Sequence, residues 1–391
     1  LSKIEYLFSS QAVRDQAQRI YKLTLAGEGR FTINESKIDE TVDFVLSVIT
    51  KNYPDLKIPF HARWRHFQVG GVNRLQVLEK KLSPLPKDEK ARAQLDLAVT
   101  SVLLDAGAGK NWSFFEKSTN QKFSRSEGLA VASLYLFLDG ALSGDKKTPQ
   151  ADREGLMAVT LNDLKKHFQV ADDNPLVGLE GRLALLNNLA QALSNQKYFK
   201  NGRPGNVLDY FLDQNVKSIK ATELLGFVLR AFGSIWPGRL SMEGINLGDV
   251  WTHQNELVPF HKLSQWLTYS LIEPIEDYGI SVTGVEELTG LAEYRNGGLM
   301  IDSGILSFKN SLDENVSWEP GSDLVVEWRA LTIYFLDVLA EKIQKKLNFT
   351  AAQFPLAKVL EGGTWWAGRV LAFEKRGGEP PVKIASDGTV F

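Results

Sequence analysis

Apolar residues return along this chain every three or four positions, segment after segment, and that spacing commits most of the sequence to helix. Between residues 40 and 53, Val42, Val45, Leu46 and Ile49 share one face, and Pro54 ends the run. Residues 95–104 are apolar almost all round and stop before Gly107 and Gly109, the pattern of a buried helix. Ser124, with Glu127 three residues on, reads as a capping box opening a helix that extends to Leu138. The same periodicity predicts helices over 180–194, 206–214, 222–232, 262–271 and 286–294, a long one over 324–347, another over 353–360, and a last one starting near Thr364. Strand signals are confined to 299–308, with Gly304 as its turn, and to 382–384 and 389–391. The expected fold class is mainly α: a helical bundle with a few short β-strands.

The polar, breaker-rich stretch from Ser143 to Pro149 is either a linker or a surface loop. The chain is accordingly one compact helical unit over 1–391, or two lobes over 1–145 and 150–391, the second catalytic. No run of about 18 apolar residues offers a membrane span. The start, Leu1 to Glu5, lacks the charged and apolar regions of a signal peptide and an initiator methionine, so the cytoplasm is the default expectation. With 45 basic and 47 acidic side chains, the net charge of −2 argues against a nucleic-acid partner held by bulk electrostatics. The chain has no cysteine, which removes thiol nucleophiles and thiolate metal sites and leaves carboxylate, lysine and histidine for chemistry.

Those groups stand out where they interrupt apolar or aromatic runs. His61, Arg63, Arg65 and His66 interleave with Phe60, Trp64 and Phe67 ahead of Gly70-Gly71. Such arginines either cradle an anion or snorkel from a half-buried segment. Asp249 and His253, near Trp251, are four apart and would share a helix face. His261 and Lys262 open an apolar helix that carries Trp266, and a lysine in that company is either paired or perturbed. Glu293, Tyr294 and Arg295 end another apolar stripe before Gly297-Gly298, and an ion pair between Lys262 and Glu293 is the bland reading of both. Lys358 and Glu361 are spaced to pair locally, and Gly362-Gly363-Thr364 either caps a helix or presents amides to an anion. The stretch from Asp105 to Asn111 lacks the leading glycine and the hydroxyl residue of a phosphate loop.

Long runs carry a family resemblance: FHARWRHFQVGG (60–71), SVLLDAGAG (101–109), FSRSEGLAVASL (123–134), NLGDVW (246–251), VPFHKLSQWLTYSLIEP (258–274), LTGLAEYRNGG (288–298), FPLAKVLEGGTWWAGR (354–369) and SDGTVF (386–391). Over nearly its whole length the chain resembles the uracil-catabolism protein four family. The resemblance implies a place in a pathway that converts uracil to its nucleotide, opens the ring and liberates urea. VPFHKLSQ and LTGLAEYR are also similar, more distantly, to segments of the queuosine-5′-phosphate N-glycosidase (queuosine salvage) family. There, a lysine and an aspartate correspond to Lys262 and Glu293, with Tyr294 and Arg295 matching the aspartate's neighbours. That family resembles helix-hairpin-helix DNA glycosylases in fold. Here Glu replaces its Asp, Asn296-Gly297 replaces Val-Pro and His261 replaces Tyr, which implies a different base or leaving group.

These resemblances imply hydrolysis of the N-glycosidic bond of a ribosylurea, or its 5′-phosphate, without a cofactor. Glu293 would stabilise the oxocarbenium-like transition state and activate water, with Lys262 holding it ionised. His261, His253 or Asp249 would protonate the leaving urea. Arg63, Arg65 and Arg295 would bind phosphate, with His61, Trp251, Trp266 and Tyr294 completing the substrate site. Two alternatives stay open: a metal-assisted amidohydrolase using His61, His66, Asp249 and His253, and a non-catalytic nucleotide-ligand-binding partner of the pathway.

Overall fold

The helix Asp323–Leu347 forms the axis of the fold. From Leu324 to Ile333 every residue is buried, as its all-round apolar pattern requires. The buried Glu327 is accommodated because it accepts hydrogen bonds from Thr24 Oγ1 (2.9 Å) and the backbone N–H groups of Arg30 (2.6 Å) and Phe31 (3.3 Å). Lys345 and Lys346 complement the last turn, and Asn348, with φ of 58°, closes it. Around this axis pack the helices Ser10–Leu25, Ile38–Asn52 and Tyr294–Asp302. The computed structural model describes residues 2–105, 107–237, 239–313 and 316–385.

A second group centres on the helix Lys262–Tyr278, which lies against Lys87–Leu103 and Ala221–Ala231. The helix Trp365–Arg376 packs on Tyr294–Asp302 at close range. A Cβ at Gly368 would lie 2.1 Å from the carbonyl oxygen of Arg295, so the contact requires glycine. Strands among the described residues occur only as five two-stranded ribbons. One of them, Val250–His253 paired antiparallel with Glu256–Pro259, leads directly into the helix of Lys262. No helix among the described residues is long and apolar enough to cross a membrane.

The fold is mainly α, and most expected helices are present, several of them longer than expected. Four local readings need correction. Residues 286–294 are not a helix. A short turn at Val285–Glu287 is followed by an extended stretch lying flush on the axis, where a Cβ at Gly290 would sit 2.6 Å from Leu336, and helix begins only at Tyr294. Ser124 occupies the N-cap position of Arg125–Leu138 without a capping bond, and Glu127 pairs with Arg369 instead of closing a capping box. Asp249 and His253 share no helix face, since Val250–His253 is a strand. Residues 299–302 belong to a helix, so the expected strand shrinks to Leu306–Phe308 beyond the Gly304 turn.

Ile384 makes only an isolated bridge to Trp318, and the run 386–391 lies outside the described residues, as does Ala106 within 101–109. The stretch after Ser143 is a tight surface turn, closed by Asp145 accepting from the N–H groups of Lys147 (2.8 Å) and Thr148 (2.9 Å). Helix begins at Leu356, three residues later than expected, because Pro355 is its extended N-cap, and residues 356–376 form one nearly continuous helical rod in which Leu360–Thr364 is a π-helical turn. Gly362 and Gly363 serve close packing there, because Cβ atoms would lie 2.6 Å from Ile58 and 2.7 Å from Val45. Neither anion binding nor capping explains them.

Candidate active site

A cavity of about 420 Å³ opens where the helices of Lys262, Tyr294 and Trp365 converge. It unites seven of the residues singled out in the sequence: His61, His66, Lys262, Trp266, Glu293, Tyr294 and Arg295. Trp365 joins them, and Asp105, residues 107–110, Arg125, Ser126 and residues 378–380 lie at the rim.

Lys262 is the first residue of its helix, and its backbone N–H is capped from a distance by Asp249 Oδ2 (3.0 Å). His261 precedes it in the left-handed region, with φ of 50°, turning the chain from strand into helix. The lysine side chain reaches the cavity with its ammonium disfavoured. Burial and the charge of Arg329 lower its pKa; Asp249, Glu293 and Asp105 pull it back, leaving it at about 8. Among the lysines, cyanate at pH 8 should therefore carbamylate Lys262 first. About half of such an amine is neutral there, against roughly 0.4% of an ordinary lysine. Peptide mapping that finds Lys262 no faster than surface lysines would refute this.

Glu293 is the N-cap of Tyr294–Asp302. Its Oε2 accepts from the N–H of Arg295 (2.9 Å) and its Oε1 from the N–H of Asn296 (2.6 Å). Two amides and the positive end of the helix thus fix the carboxylate. Each oxygen keeps lone-pair capacity beyond these bonds. Trp328 Nε1 donates to the Gly297 carbonyl (3.0 Å) and Asn296 Nδ2 to that of Leu291 (3.2 Å), which anchors the turn on both sides. Arg295 is buried with its guanidinium 4.2 Å from the Trp365 ring centre, and its Nε is enclosed without a hydrogen-bond partner. Burial would lower its pKa, but Tyr294, Glu293, Glu127 and Asp105 raise it overall.

The other candidates lie elsewhere. Arg63 is fully buried behind the wall, donating to Ser101 Oγ (2.7 Å), Asp105 (2.9 Å) and His66 Nδ1 (3.3 Å). Arg65 pairs with Glu273 outside the cavity lining, because the one-residue step from His66, which does line it, rotates the side chain away. Asp249 is held on both oxygens by Arg329 (2.8 Å each) and on Oδ1 by Trp251 Nε1 (2.7 Å), so neither Asp249 nor Trp251 lines the cavity. Burial alone would raise the Asp249 pKa, but the Arg329 charge and these bonds hold it far below the usual carboxylate range, which unsuits it as a proton donor. His261 turns its Nε2 to the Leu7 carbonyl (2.8 Å), and His253 ends the strand away from the site. The metal-ligand set His61, His66, Asp249 and His253 is therefore split, and among the described residues no three His, Asp or Glu side chains are grouped to hold a metal.

Several site residues escaped the sequence reading. Trp365 stacks one wall, Asp105 adds charge, and residues 107–110 of the segment set aside as a failed phosphate loop form part of the rim. Glu361 pairs with His61 (2.7 Å) and not with Lys358, whose Nζ reaches the Gln353 carbonyl. The paired glycines at 107/109 and 362/363 were the signal that could have found them.

The model of a family described as "Protein of unknown function (DUF1688)" matches residues 6–391. The chain is 38% identical to "Uracil catabolism protein 4" of Lachancea kluyveri, over 99% of each protein. It is 39% identical to "Protein urg3" of Schizosaccharomyces pombe, over 98% of each.

Proposed function

We propose, from the premise that this chain belongs to the DUF1688 family, that it works in uracil catabolism, as the name of its Lachancea kluyveri relative states of that protein. Within that role we infer an N-glycoside hydrolase that cleaves a ribosylurea, or its 5′-phosphate, to urea and ribose or ribose phosphate. The observation that carries this reading is Glu293, a carboxylate locked onto two backbone amides, sharing one cavity with the partly neutral Lys262.

Leaving-group departure makes C1′ electron-deficient. A carboxylate fixed in advance stabilises that charge without reorganising, and it can take a proton from the attacking water. Lys262 tempers the negative charge of Glu293 from the same cavity. Trp266 and Trp365 wall the site and exclude bulk water, which strengthens each of these interactions. Arg295 is the phosphate candidate on the cavity wall, with Lys110 and Arg125 at the rim.

The direct test is incubation of the purified protein with ribosylurea and with ribosylurea 5′-phosphate, assaying urea and the released sugar. Urea appearing in step with ribose or ribose phosphate is expected. Release of ammonia and carbon dioxide with the sugar still attached would point instead to attack on the urea carbonyl and overturn the glycosidase reading.

A further inference from the structure

Resting on that reading, we propose that His61 is the proton donor to the departing urea and that Glu361 is the residue that positions it. The backbone N–H of His61 is fixed to the Ala357 carbonyl (3.0 Å), and its ring Nδ1 lies 2.7 Å from Glu361 Oε2. The two side chains are only 6% and 9% exposed, so little water competes for that bond. An ionised carboxylate can only accept, so Nδ1 carries hydrogen whether the ring is neutral or charged. The exchangeable proton is thereby assigned to Nε2. His61 lines the cavity between Trp266 and Trp365, at ring separations of 6.4 and 5.9 Å, and among the described residues no hydrogen bond engages its Nε2.

His66 supplies the contrast. It lies between the same two indoles, at 5.7 and 6.1 Å. Its Nδ1 accepts from Arg63, which fixes the hydrogen on Nε2 of a neutral ring. Burial, then the charges of Arg63, His61, Arg295 and Arg369, push its pKa well down. It can donate a hydrogen bond to a substrate, but a neutral imidazole is far too weak an acid to serve as the proton donor. Two histidines in one cavity are thus set to different tasks by their Nδ1 partners. The π-helical turn is what brings Glu361 to His61, while Gly362 and Gly363 let that wide turn pack flush on Ile58 and Val45.

In the proposed step, Nε2–H of His61 passes its proton to the urea nitrogen as the C1′–N bond breaks and its electron pair moves to that nitrogen. Water oxygen bonds to C1′ and gives a proton to Glu293. Proton exchange with solvent then restores both residues, and the net change is addition of one water and release of urea.

The experiment compares two substrates, ribosylurea 5′-phosphate and 4-nitrophenyl riboside 5-phosphate, whose nitrophenolate departs without an acid. His61→Asn should lower kcat/KM on the urea substrate by about 10²- to 10⁴-fold, and on the nitrophenyl substrate by less than about tenfold. Glu361→Gln should show the same selectivity with a smaller loss, a split that a merely structural role would not produce. Melting temperatures confirm folding, and if His61→Asn does not fold, the selectivity of Glu361→Gln decides the matter. Equal losses on both substrates in folded variants overturn the donor assignment and leave the hydrolase reading standing. Wild-type protein that releases no urea overturns both.

Discussion

Replacing Glu293 with glutamine is expected to lower kcat on ribosylurea at least about a hundredfold, a barrier increase of roughly 2.7–4 kcal/mol. The loss should fall on kcat and leave KM nearly unchanged, because the carboxylate acts on charge that exists only as the bond breaks. Structurally the change is mild. Glutamine keeps one oxygen to accept from the Arg295 or Asn296 N–H, so the N-cap is weakened by only about 1 kcal/mol. Stability and activity therefore separate at this position. Stopped urea assays and thermal melts on the same preparation measure both, and a variant with wild-type kcat would reduce Glu293 to a helix cap.

The reverse separation is expected at Asp249. Asp249→Ala strips Arg329, 1% exposed, of the carboxylate that binds it at two points, and removes the cap on the Lys262 N–H. Breaking a buried pair from one side costs about 3–5 kcal/mol. Denaturant unfolding should show that loss, because the strand-to-helix junction carrying Lys262 is built on this pair. Replacing both partners, as Asp249→Leu with Arg329→Met, should recover much of the stability, since no unmatched charge stays buried. A single variant as stable as the parent would contradict the account.

The sequence announced its helices because burial of one face leaves a three-to-four periodicity. The same signal misled over 286–294: Leu288 and Leu291 are buried under the axis from an extended chain, and apolar spacing reports burial before it reports conformation. Lys262 and Glu293 were legible as charges in apolar company. Some of the charges near them in sequence misled, since side chains close along the chain can diverge. Arg63 and Arg65 leave one helical turn in different directions, and His261 faces Leu7 while Lys262 faces the cavity. The His61–Glu361 contact was beyond any local rule, because its partners meet only after the chain has folded back on itself.

That separation has a consequence for the birth of the protein. Among the described residues nothing between Leu129 and Lys262 lines the cavity, whose walls come from 61–129 and 262–384. Glu361 follows His61 by 300 positions. At translation rates of roughly 5–20 residues per second, His61 leaves the ribosome about 15–60 s before its carboxylate partner. Trp266 is made only in the last third of that interval, and from then on it and the face beneath it wait uncovered for the rod that bears Trp365. The site is thus the last part of the molecule to be completed, and a chain stalled before the π-helical turn holds half a cavity.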